Sequence, residues 1–155
     1  MYPRVPKAFT LIEVMIVVAI LSVMALGSLN SQYYAVKQTQ IARAQMVATR
    51  ITQMLLEDWK SVGGSSSYDP TSLRIGFTGT FSAITPGGAS VTYNITQDSI
   101  PLTVVLSCAN VVEGATTLPL LQLTVTVKWR KDFGTGAIGG SDPSLQYTTY
   151  VRTDI

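Results

Sequence analysis

Hydrophobic and polar positions fall along this chain in three patterns. From Phe9 to Leu29 nearly every residue is apolar. Glu13 is the one acid in that stretch, and no charge follows it until Lys37, an uncharged run of 23 residues. As a helix rising ~1.5 Å per residue, that run is longer than the ~30 Å hydrocarbon core of a membrane. From Tyr34 the apolar residues thin to one stripe: Tyr34, Ile41, Ala44, Ala48, Ile51 and Leu55, with only Lys37 breaking it. The three- and four-residue steps predict an amphipathic helix, and Val47 and Met54 widen its face. No proline lies between Phe9 and Lys60, so the two patterns predict one continuous helix of about 50 residues, some 75 Å long. Gly27, Ser28, Asn30 and Ser31 are its weakest helix formers.

"VGGSSSYDP" (62–70) ends the helix, with Gly63 and Gly64 suited to a C-terminal cap and Pro70 beyond. The third pattern is strict alternation. Val91, Tyr93 and Ile95 form one set, and Leu102, Val104, Leu106 and Cys108 a second. Leu121, Leu123, Val125, Val127 and Trp129 form the clearest strand. "LQYTTYVRT" (145–153) is expected to pair with it as an antiparallel hairpin across a long Gly-rich loop. Two weaker strands are expected at 73–77 and 80–84. The fold class is therefore α+β: a long N-terminal membrane-spanning helix packed through its second half on an antiparallel sheet with one wet face. The expected divisions are 1–8, an apolar helical half 9–30, an amphipathic half 31–61, and a β-rich head 62–155.

Composition narrows the function classes. Charged residues make up 13% and hydrophobic residues 46% of the chain, which excludes a disordered polymer. A formal charge of +2 gives no reason to expect nucleic-acid binding. With no histidine and one cysteine, Cys108, neither an internal disulfide nor a Cys/His metal cluster can be built. Cys108 lies on the apolar side of its strand and is expected to be a small buried residue. No catalytic constellation stands out, so the chain is expected not to be an enzyme, and no cofactor is implied. Glu57 and Asp58 are adjacent and point to different helix faces, as on a solvated surface. Asp132 and Asp142 flank the Gly-rich loop, too few acids for the six to eight oxygens calcium takes. Asn94-Ile95-Thr96 matches a glycosylation acceptor but falls mid-strand.

Three readings compete for the N-terminus. A secretory signal peptide fits the basic start, Arg4 and Lys7, and Ala25-Leu26-Gly27 would allow cleavage before Ser28. A plain single-pass anchor fits the apolar run, with the basic end in the cytoplasm. Glu13 counts against both, because an acid within a bilayer costs about 2.5–3.5 kcal/mol on insertion scales.

The third reading explains the acid. "KAFTLIEVMIVVAILSVMA" resembles the N-terminal segment of type IV pilins and type II secretion pseudopilins. The resemblance covers about the first 30 residues closely and the next 30 in general form. It implies a leader, residues 1–8, removed by a prepilin peptidase between Ala8 and Phe9. The usual residue before the cut is Gly; Ala8 is the next smallest. Phe9 becomes the N-methylated first mature residue and Glu13 the fifth. Many members carry a Pro near the position of Asn30, and this chain does not. The resemblance further implies a structural role, as a minor pilin or pseudopilin assembled through its helix. Expected partners are other pilin or pseudopilin subunits, the prepilin peptidase and an inner-membrane assembly platform. The expected location is the bacterial inner membrane, head outside the cytoplasm, and then the filament.

Within such an assembly Glu13 gains a role. Cleavage leaves a free amine on Phe9, with an ordinary pKa of about 7.7–8.0. In an apolar bundle that amine, on an entering subunit, attracts the Glu13 carboxylate of one already placed more strongly than in water. The alternative is an acid that snorkels to the membrane surface.

Overall fold

The computed structural model describes residues 10–113, 116–131 and 136–152, and the side chains of 113–119 are left aside. Helix α1 runs from Leu11 to Ser61 without a break, as the absence of proline allows. Thr10 caps its first turn: its carbonyl accepts from Glu13 N at 3.1 Å and Val14 N at 3.3 Å, and its hydroxyl accepts from Glu13 N at 3.4 Å. At the other end the Gly63 amide donates to Lys60 O and the Gly64 amide to Trp59 O, both at 3.0 Å. Gly63, at φ 68°, sits in the left-handed region that this paired closure demands.

The chain divides into two compact units, residues 1–40 and 41–155. In the first, every described side chain from Thr10 to Gln40 is exposed. Two hydroxyls there close on the helix itself. The Ser22 hydroxyl donates to Val18 O at 2.8 Å and the Thr39 hydroxyl to Ala35 O at 2.9 Å, so neither asks for an outside partner.

In the second unit, α1 buries Ala44, Ala48, Ile51, Thr52, Leu55, Leu56 and Trp59. From Ala44 onward the expected stripe is this buried face, with Ile41, Val47 and Met54 half-buried at its margin, whereas Tyr34 and Lys37, its first members, are exposed. Thr52 is the one polar side chain buried here, and its hydroxyl donates to Ala48 O at 2.7 Å. Trp59 donates its indole N–H to Ser65 O at 3.0 Å and stacks on Tyr68, which ties the turn after the helix back onto it.

Four strands form one antiparallel sheet in sequence order: β1 Val91–Gln97, β2 Ile100–Glu113, β3 Thr116–Trp129 and β4 Ser144–Arg152. Register carries the alternation across the sheet. Tyr93 faces Val104, which faces Val127; Val91 faces Leu106, which faces Val125. Inward residues therefore line up from strand to strand, and with the buried face of α1 they form one core. Asp98 (φ 50°) and Ser99 (φ 65°) make the two-residue turn between β1 and β2, a primed turn whose twist suits a hairpin. The predicted pairing of the terminal strand holds: β4 runs antiparallel to β3, with Val125 opposite Tyr147. Of β4 only Val151 is buried.

Two sequence expectations fail. No strand forms at 73–77 or 80–84. Residues Pro70–Leu73 make a short 3-10 helix instead, because the Asp69 carboxylate accepts from Thr71 N at 3.0 Å and Pro70 is held at its first turn. Arg74 (φ 55°) and Gly76 (φ 95°) then turn the chain. Backbone pairing with the sheet is limited to a single bridge from Thr78 to Asn94.

Candidate assembly segment

Of the residues that the sequence singles out for assembly, Glu13 lies at the N-terminal end of α1. Glu13 is described and exposed in the first turn, where a carboxylate also meets the positive end of the helix dipole. Thr10 and Glu13 have the Thr-x-x-Glu spacing of a helix start. That signal was present in the sequence and identifies the Thr10 cap, which reasoning from the apolar run alone overlooks. Ala8 and Phe9, the expected cleavage and methylation positions, lie outside the described residues.

Beyond Glu13 the helix presents a cylinder of apolar side chains. Leu11, Ile12, Met15, Val23 and Leu26 are all about two-thirds exposed or more. The most apolar window of α1 has a mean hydropathy of 2.4, and none of it is buried. A surface of this extent cannot remain in water. By length and composition the segment can cross a membrane.

The remaining candidate residues are accounted for in the head. Asp142 spends both oxygens on its own loop, accepting from Gly139 N at 2.7 Å and Lys131 N at 3.2 Å. Its proposed companion Asp132 lies outside the described residues. Among the described residues no three His, Cys, Asp or Glu side chains gather as a metal site. Cys108 is buried as expected; burial pushes its thiol pKa up, and its Sγ contacts Ile84 O at 3.5 Å. Asn94 is engaged within the sheet, its side-chain oxygen accepting from Thr103 at 2.9 Å. Glu57 is exposed as expected, while Asp58 is half-buried and lines a cleft with Val62, Ser65, Ser67, Tyr68, Asp69 and Ser72. Sequence spacing could not show this, because residues 65–72 return to Asp58 only through the turn at Gly63.

These features define a class: an α+β protein whose helix offers an unburied apolar segment at one end and a core face at the other. Residues 4–29 match the family model described as the prokaryotic N-terminal methylation motif. This is the signal of type IV pilins and pseudopilins, and it marks the N-terminal segment as a type IV pilin-like substrate of prepilin peptidase. No match was found among curated proteins or among solved structures.

Proposed function

We propose that the chain is a structural subunit, a minor pilin or pseudopilin, of a type IV pilus or type II secretion filament, and not an enzyme. The observation that carries the reading is the coincidence of the methylation motif with an acid in the first turn of an unburied, otherwise uncharged helix. A prepilin peptidase cuts between Ala8 and Phe9, and Phe9 is N-methylated. Loss of Arg4 and Lys7 leaves nine basic against nine acidic side chains, a near-neutral subunit suited to close packing. Before assembly the apolar half lies in the inner membrane with the head outside the cytoplasm. Other pilin or pseudopilin subunits and the inner-membrane assembly platform are its partners. In the filament, the apolar faces of neighbouring helices replace lipid, and Glu13 meets the Phe9 amine of a neighbour. The acid then selects register, since only one axial offset pairs the two charges.

Mass analysis of the membrane-extracted protein tests the processing step. The expected chain begins at an N-methylated Phe9. A chain beginning at Ser28 would support a secreted binding or enzymatic domain instead, and an uncut chain a single-pass anchored protein.

A further inference from the structure

Two members of the expected core stripe, Tyr34 and Lys37, lie outside the core. Tyr33 is 65% and Tyr34 59% exposed, so neither ring packs into the head. The two rings instead meet each other edge to face, with centroids 5.9 Å apart. Lys37 follows them by four and three residues and so shares their side of the helix. Cα–Cβ bonds of a helix tilt toward its N-terminus, so the base of the Lys37 side chain leans back over the rings.

The height of this trio along α1 is what gives it meaning. The unburied apolar segment from Leu11 to Leu29 rises about 27 Å, close to the ~30 Å hydrocarbon core of a bilayer. Asn30, Ser31 and Gln32 then end the apolar run. Tyr33 stands about 6 Å beyond Leu29 along the axis, and Lys37 about 12 Å. A bilayer with its polar layers is ~40–45 Å thick, which leaves about 5–7 Å for each layer. The tyrosines fall within that layer and Lys37 at its rim.

The side chains suit that place. A phenol has an apolar ring and a hydroxyl, and tyrosine is enriched where oil meets water. An ammonium beside it meets headgroup phosphates of opposite charge while its alkyl stem covers apolar surface. The trio is also continuous with the apolar cylinder below it, so both address one surface.

We propose that Tyr33, Tyr34 and Lys37 form a belt that grips the phosphate layer of the outer leaflet and sets the depth at which the subunit lies before assembly. Hydrophobicity leaves that depth open. The uncharged run of 23 residues rises about 34 Å, longer than the core, and fits it at several offsets. Because α1 is unbroken, fixing Tyr33 also fixes the level of Glu13, about 30 Å along the axis. The inference rests on the membrane-inserted state in the reading above.

Tryptophan fluorescence tests it on the full chain in vesicles of phosphatidylethanolamine and phosphatidylglycerol. The native indoles, Trp59 and Trp129, are buried in the head and serve as a subtracted background. Tyr34→Trp keeps an interfacial aromatic in the belt, and Ile20→Trp marks the middle of the apolar segment. Both positions are exposed, so neither change disturbs the core. Quenching lipids carry bromine either near the headgroup or near the chain end. Shallow bromine should quench position 34 more than deep bromine does, with the order reversed at position 20. Adding Tyr33→Ala, Tyr34→Ala and Lys37→Ala to the Ile20→Trp chain should move its deep-to-shallow ratio toward one. An unchanged ratio would mean that the trio does not set depth, and would overturn the proposal with insertion intact. Quenching at position 20 but by neither lipid at position 34 would put the tyrosines clear of the bilayer, open to a protein neighbour, and would overturn it too. No quenching at either position would remove the membrane-inserted state, and the belt with it.

Discussion

The two halves of α1 are equally helical and opposite in what surrounds them. From Leu11 to Gln40 all side chains are exposed, Leu, Ile and Val included. From Ile41 to Ser61 the helix carries charges, yet it fully buries Ala44, Ala48, Leu55 and Trp59 against a sheet. The half with fewer charges is the half with no internal partner. Hydrophobicity alone thus does not assign a residue to a core. Periodicity does, because a stripe fits one surface whereas an all-round apolar cylinder must be enclosed.

If the second half belongs to the core of the head, damage there should be large and damage in the first half absent. Trp59→Ala removes a buried indole, its hydrogen bond to Ser65 O and its stack on Tyr68. A loss of about 3–5 kcal/mol is expected, read as a lowered denaturation midpoint of the head in detergent. Leu21→Ala, at an exposed position of the first half, should leave that midpoint unchanged. Equal effects would erase the distinction between the halves.

The converse test is Glu13→Gln, which should spare the head and the cut at Ala8 but lower incorporation into filaments. Losing a charge-assisted contact of roughly 1.5–3 kcal/mol reduces each assembly step about ten- to hundredfold. The measurement is the ratio of this subunit in sheared filaments to the membrane pool. An unchanged ratio with normal cleavage would mean that the acid does not choose partners.

Alkaline pH should sharpen the contrast. Burial first, then the Asp58 carboxylate, raises the Tyr68 phenol pKa well above its ordinary value. Burial, then Asp69, raises that of Tyr93. Both groups stay protonated in the fold at a pH where the unfolded chain releases their protons. Stability of the head should hold below pH ~10, the unfolded value, and then fall by up to about 1.4 kcal/mol per pH unit for each phenol. Tyr68→Phe should flatten the decline in urea melts taken from pH 8 to 11; an unaltered slope would show that this phenol is not held protonated.

The smallest effect lies at the helix end. Gly63→Ala places a Cβ on a residue at φ 68°, with open space around it, so backbone strain is the only cost. A loss of about 1 kcal/mol is expected in the same denaturation assay.

Much of this was legible because it is local. The uninterrupted helix follows from the lack of proline, its closure from Gly63-Gly64, and the inward faces of β1, β2 and β3 from simple alternation. The expected strands at 73–77 and 80–84 misled because short apolar runs look alike in a strand and in a loop packed by its side chains. Phe77 and Ile84 are buried, yet Asp69, Pro70 and Arg74 set the backbone on another course.

By itself, then, the sequence determined the order of elements, the α+β class and the methylation motif, since each depends on neighbours a few residues apart. Only the tertiary structure brings Asp58 into one cleft with Tyr68 and Asp69, and buries the phenols of Tyr68 and Tyr93 under the influence of those acids. Those relations exist only after a turn and a sheet bring distant segments together, and hydrogen bonding and burial are fixed by distances that chain spacing does not contain.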